Sequence, residues 1–93
     1  MNMVRVEVRF HGHVQGVGFR YTTNQIAKQY PCTGIVRNET DGSVYIVAEG
    51  ERHILESFIE AIRTQMSDFI QRETVNWSEA THKWPTFSID RIG

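Results

Sequence analysis

Cysteine is nearly absent from the chain. Cys32 is the only one, so no internal disulfide can form and nothing requires an oxidising compartment. It follows Pro31 in an expected turn with no motif around it, and reads as a small half-buried filler rather than a nucleophile. No apolar run approaches the roughly 20 residues of a membrane-spanning helix. Residues 1–10 alternate charged and apolar side chains, which is not the pattern of a signal peptide. These absences leave the cytoplasm as the expected location and give no sign of a membrane partner. An excess of one charge is also missing. Ten Lys and Arg stand against eleven Asp and Glu, for a net charge of −1, whereas a general nucleic-acid binder shows a basic excess. There is no internal repeat, low-complexity tract or linker. The 93 residues are therefore expected to form one domain, 1–93. A domain of that size buries roughly 60–65% of its unfolded surface, enough for one core without staples.

What is present is periodicity. Val4, Val6, Val8 and Phe10 alternate with Arg5, Glu7 and Arg9, the pattern of a strand with one buried face. Phe19, Thr23, Ile26, Ala27 and Tyr30 then share one side of a helix, which Pro31 is expected to end. A short strand over 33–38 and a second strand from Val44 flank Thr40-Asp41-Gly42-Ser43 and read as a hairpin. Leu55, Phe58, Ile59, Ile62 and Met66 form the stripe of a second helix, with Glu56 and Glu60 on its solvated face beside Arg52 and Arg63. Phe69 and Ile70 are expected to fold back on the core. Val75 and Trp77 open a further strand, and Phe87 and Ile89 a final short one. The order predicts an α+β, ferredoxin-like βαββαβ sandwich. Its antiparallel sheet would carry both helices on one face, with right-handed crossovers, and turn the other face to solvent.

Between the first strand and the first helix runs Gly-His-Val-Gln-Gly-Val-Gly-Phe-Arg, from Gly12 to Arg20. Glycine reaches backbone conformations closed to other residues and lets an anion approach the main chain. A glycine-rich strand-to-helix turn can aim several N–H groups, and a helix N-terminus, at one point. Arg20 adds a permanent, planar guanidinium that matches phosphate geometry. The residues alone thus describe a site for a phosphoryl group. The spacing is neither Gly-x-x-x-x-Gly-Lys-Ser/Thr nor Gly-x-Gly-x-x-Gly, since Tyr21 holds the third position of the latter.

A cradle needs a nucleophile. His11 and His13 flank Gly12, but two imidazoles with no Cys or carboxylate nearby in sequence are too few for a usual zinc site. A water held opposite the leaving group is the economical choice. The uncharged carboxamide of Asn38 could hold it without repelling phosphate, although an Asn beside a turn also serves simply as a turn former.

The nonapeptide resembles the acylphosphatase signature Gly-x-Val-Gln-Gly-Val-Gly-Phe-Arg at every fixed position. The stretch Gly34-Ile-Val-Arg-Asn38, then Gly42-Ser-Val44 and Gly50, is similar to the second signature of that family, with Ile35 where the family usually has an aromatic residue. The terminal Phe87-Ser-Ile89 extends the resemblance over nearly the whole chain. It implies a ferredoxin-like fold and hydrolysis of small acyl phosphates to a carboxylate and inorganic phosphate. It also implies phosphate binding by Arg20 and by loop N–H groups from Gln15, Gly16, Val17, Gly18 and Phe19. Arg20 and Asn38 are the implied catalytic residues, with Asn38 orienting the attacking water, and no metal or cofactor is needed. A monomer acting on a small-molecule acyl phosphate, without nucleic acid, is expected.

Three alternatives remain. One is a non-catalytic phosphate- or anion-binding module of the same fold. Another is an RNA-binding domain, which would need exposed aromatics such as Phe10 and Tyr45. The third is a domain of a larger carbamoyl-transfer system, for which a chain ending at Gly93 is expected to leave no room.

Overall fold

The computed structural model describes residues 2–91. Along the chain it contains β1 (Met3–Gly12), α1 (Phe19–Ala27), β2 (Thr33–Asn38), β3 (Val44–Glu51), α2 (Arg52–Gln65), β4 (Ile70–Glu79) and β5 (Phe87–Ile89). The sheet order is β4-β1-β3-β2-β5. The first four strands pair antiparallel, as the ferredoxin-like element order predicts. The last does not: β5 runs parallel to β2, with Gly34 opposite Phe87 and Val36 opposite Ile89, so the sheet is mixed. Pattern alone carries no strand direction, which is why the short last strand was expected in an antiparallel sheet. Among the described residues no helix is long and apolar enough to cross a membrane.

Period-two alternation sends Val6, Val8 and Phe10 of β1, Val36 of β2 and Val44, Ile46 and Ala48 of β3 to one side. There they share one core with Phe19, Ile26 and Ala27 of α1 and Leu55, Phe58, Ile59 and Ile62 of α2. Both helices therefore cover the same face. Helix α1 is shorter than its apolar stripe suggests. After Ala27 the chain tightens, the N–H groups of Gln29 and Tyr30 donating to the Ile26 and Ala27 carbonyls at 2.9 and 3.1 Å. Tyr30 still reaches the core, its ring centroid 5.9 Å from that of Phe58. Pro31 has no N–H to offer the Ala27 carbonyl, which accepts from Tyr30 instead. Phe69 and Ile70 do pack against the core, and Ile70 begins β4.

The second face of the sheet differs most from expectation. It does not simply meet solvent, because β3 is buried on both sides from Val44 to Gly50. Tyr45 is sandwiched by the guanidiniums of Arg9 and Arg37, 4.6 and 4.8 Å from its ring centroid. Long arginine stems cover apolar surface while their charged ends stay wet, so a polar alternation in sequence still yields a covered face. Phe10 is fully buried and Tyr45 nearly so, and neither offers the exposed ring that RNA recognition requires.

The loop after β4 is fastened to this face by Glu49, whose side chain is buried. Its carboxylate accepts hydrogen bonds from the N–H of Thr81 (2.8 Å), the Thr81 hydroxyl (2.8 Å) and the N–H of His82 (2.7 Å). Arg5 lies 4.0 Å away. Burial by itself pushes the Glu49 carboxyl up; these donors and the guanidinium outweigh it and hold the group below the usual carboxylate range. Its ionised form is thus favoured in the folded chain. Stability from this source is whole above the unfolded carboxyl's ordinary value, about 4.3. It is lost as pH falls through the lower folded value. Glu49→Gln should destabilise the protein by about 1–3 kcal/mol at neutral pH. Urea unfolding at stepped pH checks this: the gap between variant and parent should close on acidification.

Candidate functional site

The register explains why distant residues meet. Phe10 of β1 and Asn38 of β2 both lie opposite Val44 of β3. The C-terminal ends of β1 and β2 therefore share one end of the sheet, separated by a single strand. The loop from β1 into α1 begins there. Gly12, at the end of β1, has φ 135°, and a Cβ on it would meet the Phe69 carbonyl oxygen at 2.4 Å. Its neighbour His13 donates its N–H to that same carbonyl at 2.9 Å. Gly12 thus serves the close packing of the 67–70 segment. Past the loop, the Phe19 ring packs 5.4 Å from that of Phe10, fixing where α1 starts.

Gly16 and Gly18 do something different. Both have left-handed backbone, φ 79° and 80°, and a Cβ on either would meet nothing within 4 Å. What constrains them is conformation, and the space beside them is a cleft of about 170 Å³ lined by Gly16, Gly18, Phe19, Arg20 and Asn38. Gly18 is the N-cap of α1. It supplies no side-chain hydrogen bond, and no acidic residue occupies the first turn. The helix therefore presents N–H groups and the positive end of its dipole without a built-in anionic partner. Among the described residues Arg20, like Arg72 and Arg91, pairs with no carboxylate, whereas Arg5, Arg9, Arg37, Arg52 and Arg63 each do. Such an arrangement suits a tetrahedral anion.

Asn38 enters the cleft by strand parity. It shares a face with Val36, the face that carries α1. Arg37 points the other way, onto Tyr45. Ile35 also lies on the far face, opposite Val47, away from the cleft. Next to Asn38, the Glu39 carboxylate accepts hydrogen bonds from Arg9 and Arg37, each at 2.8 Å. The Arg9 bond is the main influence holding that carboxyl below its usual range, with burial opposing and Arg37 assisting. Its negative charge is compensated by two guanidiniums.

The Gln15 side chain does not point into the cleft's lining. Its amide nitrogen donates to the Glu39 carbonyl at 2.8 Å and to the Ser43 carbonyl at 2.9 Å. Those oxygens belong to the turn between β2 and β3. In that turn the Glu39 N–H donates to the Ser43 carbonyl at 2.9 Å. Asp41 Oδ1 accepts from the Ser43 N–H and hydroxyl at 2.9 and 2.6 Å. Gln15 thereby ties the glycine loop to the turn that follows Asn38. Val17 also stands outside the lining and packs against the core. Of the expected site residues, the cleft thus gathers Gly16, Gly18, Phe19, Arg20 and Asn38.

Four residues on the cleft wall escaped the sequence reading: Val14 and Tyr21, which are neighbours of expected site residues in the chain, and the distant pair Ile89 and Arg91. The distant pair arrives because β5 lies parallel to β2 with Ile89 opposite Val36. The one available signal was the alternation from Phe87 through Ile89 to Arg91. Cys32 is remote from the cleft lining, and burial pushes its thiol up to about 11, which leaves it a poor nucleophile at neutral pH. Among the described residues no three His, Cys, Asp or Glu side chains come together as a metal site, His11 and His13 included.

Comparison with known proteins shows what the chain as a whole is similar to. The family model described as acylphosphatase matches residues 6–89. An acylphosphatase of Lactobacillus johnsonii is 51% identical over 89 residues, covering 94% of this chain and 98% of its own. One from Salinibacter ruber is 43% identical over 88 residues, covering 94% and 93%. The crystal structure of acylphosphatase from Bacillus subtilis superposes with a TM-score of 0.83 at 33% identity, over 94% of this chain and 98% of that one.

The tie made by Gln15 is open to measurement. Gln15→Ala should cost about 1–2 kcal/mol in urea unfolding, the worth of its hydrogen bonds to partly buried carbonyls. Amide resonances of residues 39–43 should shift more than those of α2.

Proposed function

The chain belongs to the acylphosphatase family and is an acyl phosphate hydrolase, and on that premise we propose how its residues perform the reaction. The N–H groups of the loop from Gln15 to Phe19 and the guanidinium of Arg20 hold the phosphoryl oxygens. The carboxamide oxygen of Asn38 accepts a hydrogen bond from a water and directs it onto phosphorus, opposite the acyl oxygen. The water oxygen forms a bond to phosphorus, the bond from phosphorus to the acyl oxygen breaks, and its electrons leave with the carboxylate. The observation that carries this reading is the shared cleft: a helix N-terminus without a side-chain cap, Arg20 with no carboxylate partner among the described residues, and Asn38 line one small space.

Little else is asked of the protein. In phosphoryl transfer, positioning and charge stabilisation supply most of the catalysis. The leaving group is the conjugate base of an acid with a pKa near 4, so it departs without a general acid. The water keeps one proton and passes the other to a phosphate oxygen, giving dihydrogen phosphate, which then loses a proton to solvent near neutral pH. Glu39 is held between Arg9 and Arg37 and has no role as base. No metal is part of this scheme. A monomer in the cytoplasm, acting on small acyl phosphates without nucleic acid or membrane, completes the reading. The balanced charge of the sequence supports the absence of a nucleic-acid partner.

A cradle that binds phosphate without turnover is the competing reading, and one experiment separates the two. Incubation with benzoyl phosphate in the presence of a chelator should give hydrolysis well above background; substrate loss at the background rate would favour the binding module. Arg20→Lys should lower kcat/KM by about 10²-fold or more, because an ammonium cannot reproduce a two-pronged contact. Asn38→Ala should fold and bind inorganic phosphate by calorimetry, yet lose most of kcat. Loss of phosphate binding in that variant would move Asn38 from water holder to cradle.

A further inference from the structure

The cleft has room for a phosphoryl group and little more. Its volume, about 170 Å³, falls below the roughly 300–1,000 Å³ of ordinary ligand pockets. The acyl part of a substrate must therefore lie outside it. Ile89 and Arg91 form part of the cleft wall and also part of a second depression, of about 730 Å³, on the face of the sheet away from the helices. They are the shared boundary between the two spaces. Ile35, Val47 and Trp84 give the depression an apolar lining that suits a carbon skeleton.

Its charge is one-sided. Arg5, Arg37, Lys83 and Arg91 contribute to its walls against a single carboxylate, Asp90. Two of these cations are committed: Arg5 to Glu7 at 2.7 Å, and Arg37 to Glu39 at 2.8 Å and Asp90 at 3.6 Å. Among the described residues Lys83 and Arg91 meet no carboxylate, and the Lys83 ammonium lies 5.3 Å from the Trp84 ring centroid. In a chain of net charge −1, this is a local excess of positive charge beside the Ile89–Arg91 wall that the two spaces share.

We propose that the depression is the subsite for the acyl group, and that Arg91, with Lys83 beyond it, selects acyl phosphates whose acyl part carries a second negative charge at its far end. The proposal rests on the hydrolase reading above. Arg91 acts here as a specificity residue, away from the reacting phosphorus. Its interaction is the same in ground and transition states, so it should show in KM rather than kcat.

Three aryl acyl phosphates test this: benzoyl phosphate, 4-methylbenzoyl phosphate as a neutral control of similar size, and 4-carboxybenzoyl phosphate. At low salt kcat/KM for the carboxylated substrate should exceed that for the methylated one by about threefold to fivefold, the scale of an exposed ion pair. Raising ionic strength to about 0.5 M should bring the ratio toward one. Arg91→Glu and, separately, Lys83→Glu should each push the ratio to one or below; forming it within each variant cancels any general loss. A ratio of one in the parent at low salt, with benzoyl phosphate still hydrolysed, overturns the subsite and leaves the hydrolase reading intact. A ratio unmoved by both charge reversals also overturns it. Failure to hydrolyse benzoyl phosphate at all removes both.

Discussion

The carboxamide of Gln15 bridges parts of the chain that are 24 and 28 residues apart in sequence, donating to two carbonyls of the turn that follows Asn38. The other contacts of the site depend on this tie. A glycine-rich loop is entropically the least inclined segment to keep one shape. Here its two ends are pinned by the Phe10–Phe19 ring contact and by the packing of Gly12 on the 67–70 segment, while its middle is pinned by Gln15. The anion cradle and the side chain that faces it thus belong to one rigid unit. In the mechanism proposed above rigidity has chemical value, because a group displaced by an ångström would no longer direct a water along the line of displacement.

Arginine serves two unlike purposes in the fold. Arg20 is left without a carboxylate partner among the described residues, beside a helix terminus that already favours anions. Arg5, Arg9 and Arg37 are occupied by carboxylates and stacked on aromatic rings, where they roof the second face of the sheet. The pairing of Glu39 with two of them offsets the negative charge next to Asn38. Glu49 plays the corresponding part at the opposite end of β3, where it anchors the loop after β4 through backbone donors.

The helices, the four antiparallel strands and the core stripe were legible because each rests on a local period that a side-chain pattern records. The loop, Arg20 and Asn38 were legible from composition and motif. What could not be read was long-range pairing. The direction of β5 is set by its register with β2, and only that register brings Ile89 and Arg91 to the cleft. The amide donor of Gln15 was hidden for the same reason: its acceptors are main-chain oxygens, which every residue possesses. The covered second face was misread because Arg5, Arg9 and Arg37 count as polar in an alternation, although their stems and planar heads pack like apolar groups.

The sheet ends in two very different rims. On one side β5 contributes three residues; on the other β4 runs for ten, with its outer hydrogen-bonding groups turned away from β1. An open rim of that length is a template on which a neighbouring molecule could lay down a strand. With a net charge of only −1, whole-molecule repulsion does little to keep copies apart. The guard falls instead to side chains along the rim itself, where Gln71, Arg72, Asn76 and Ser78 are polar and Glu73 is drawn to Arg63 of α2. The hydrophilic residues along this one strand are thus the feature that opposes edge-to-edge pairing of copies.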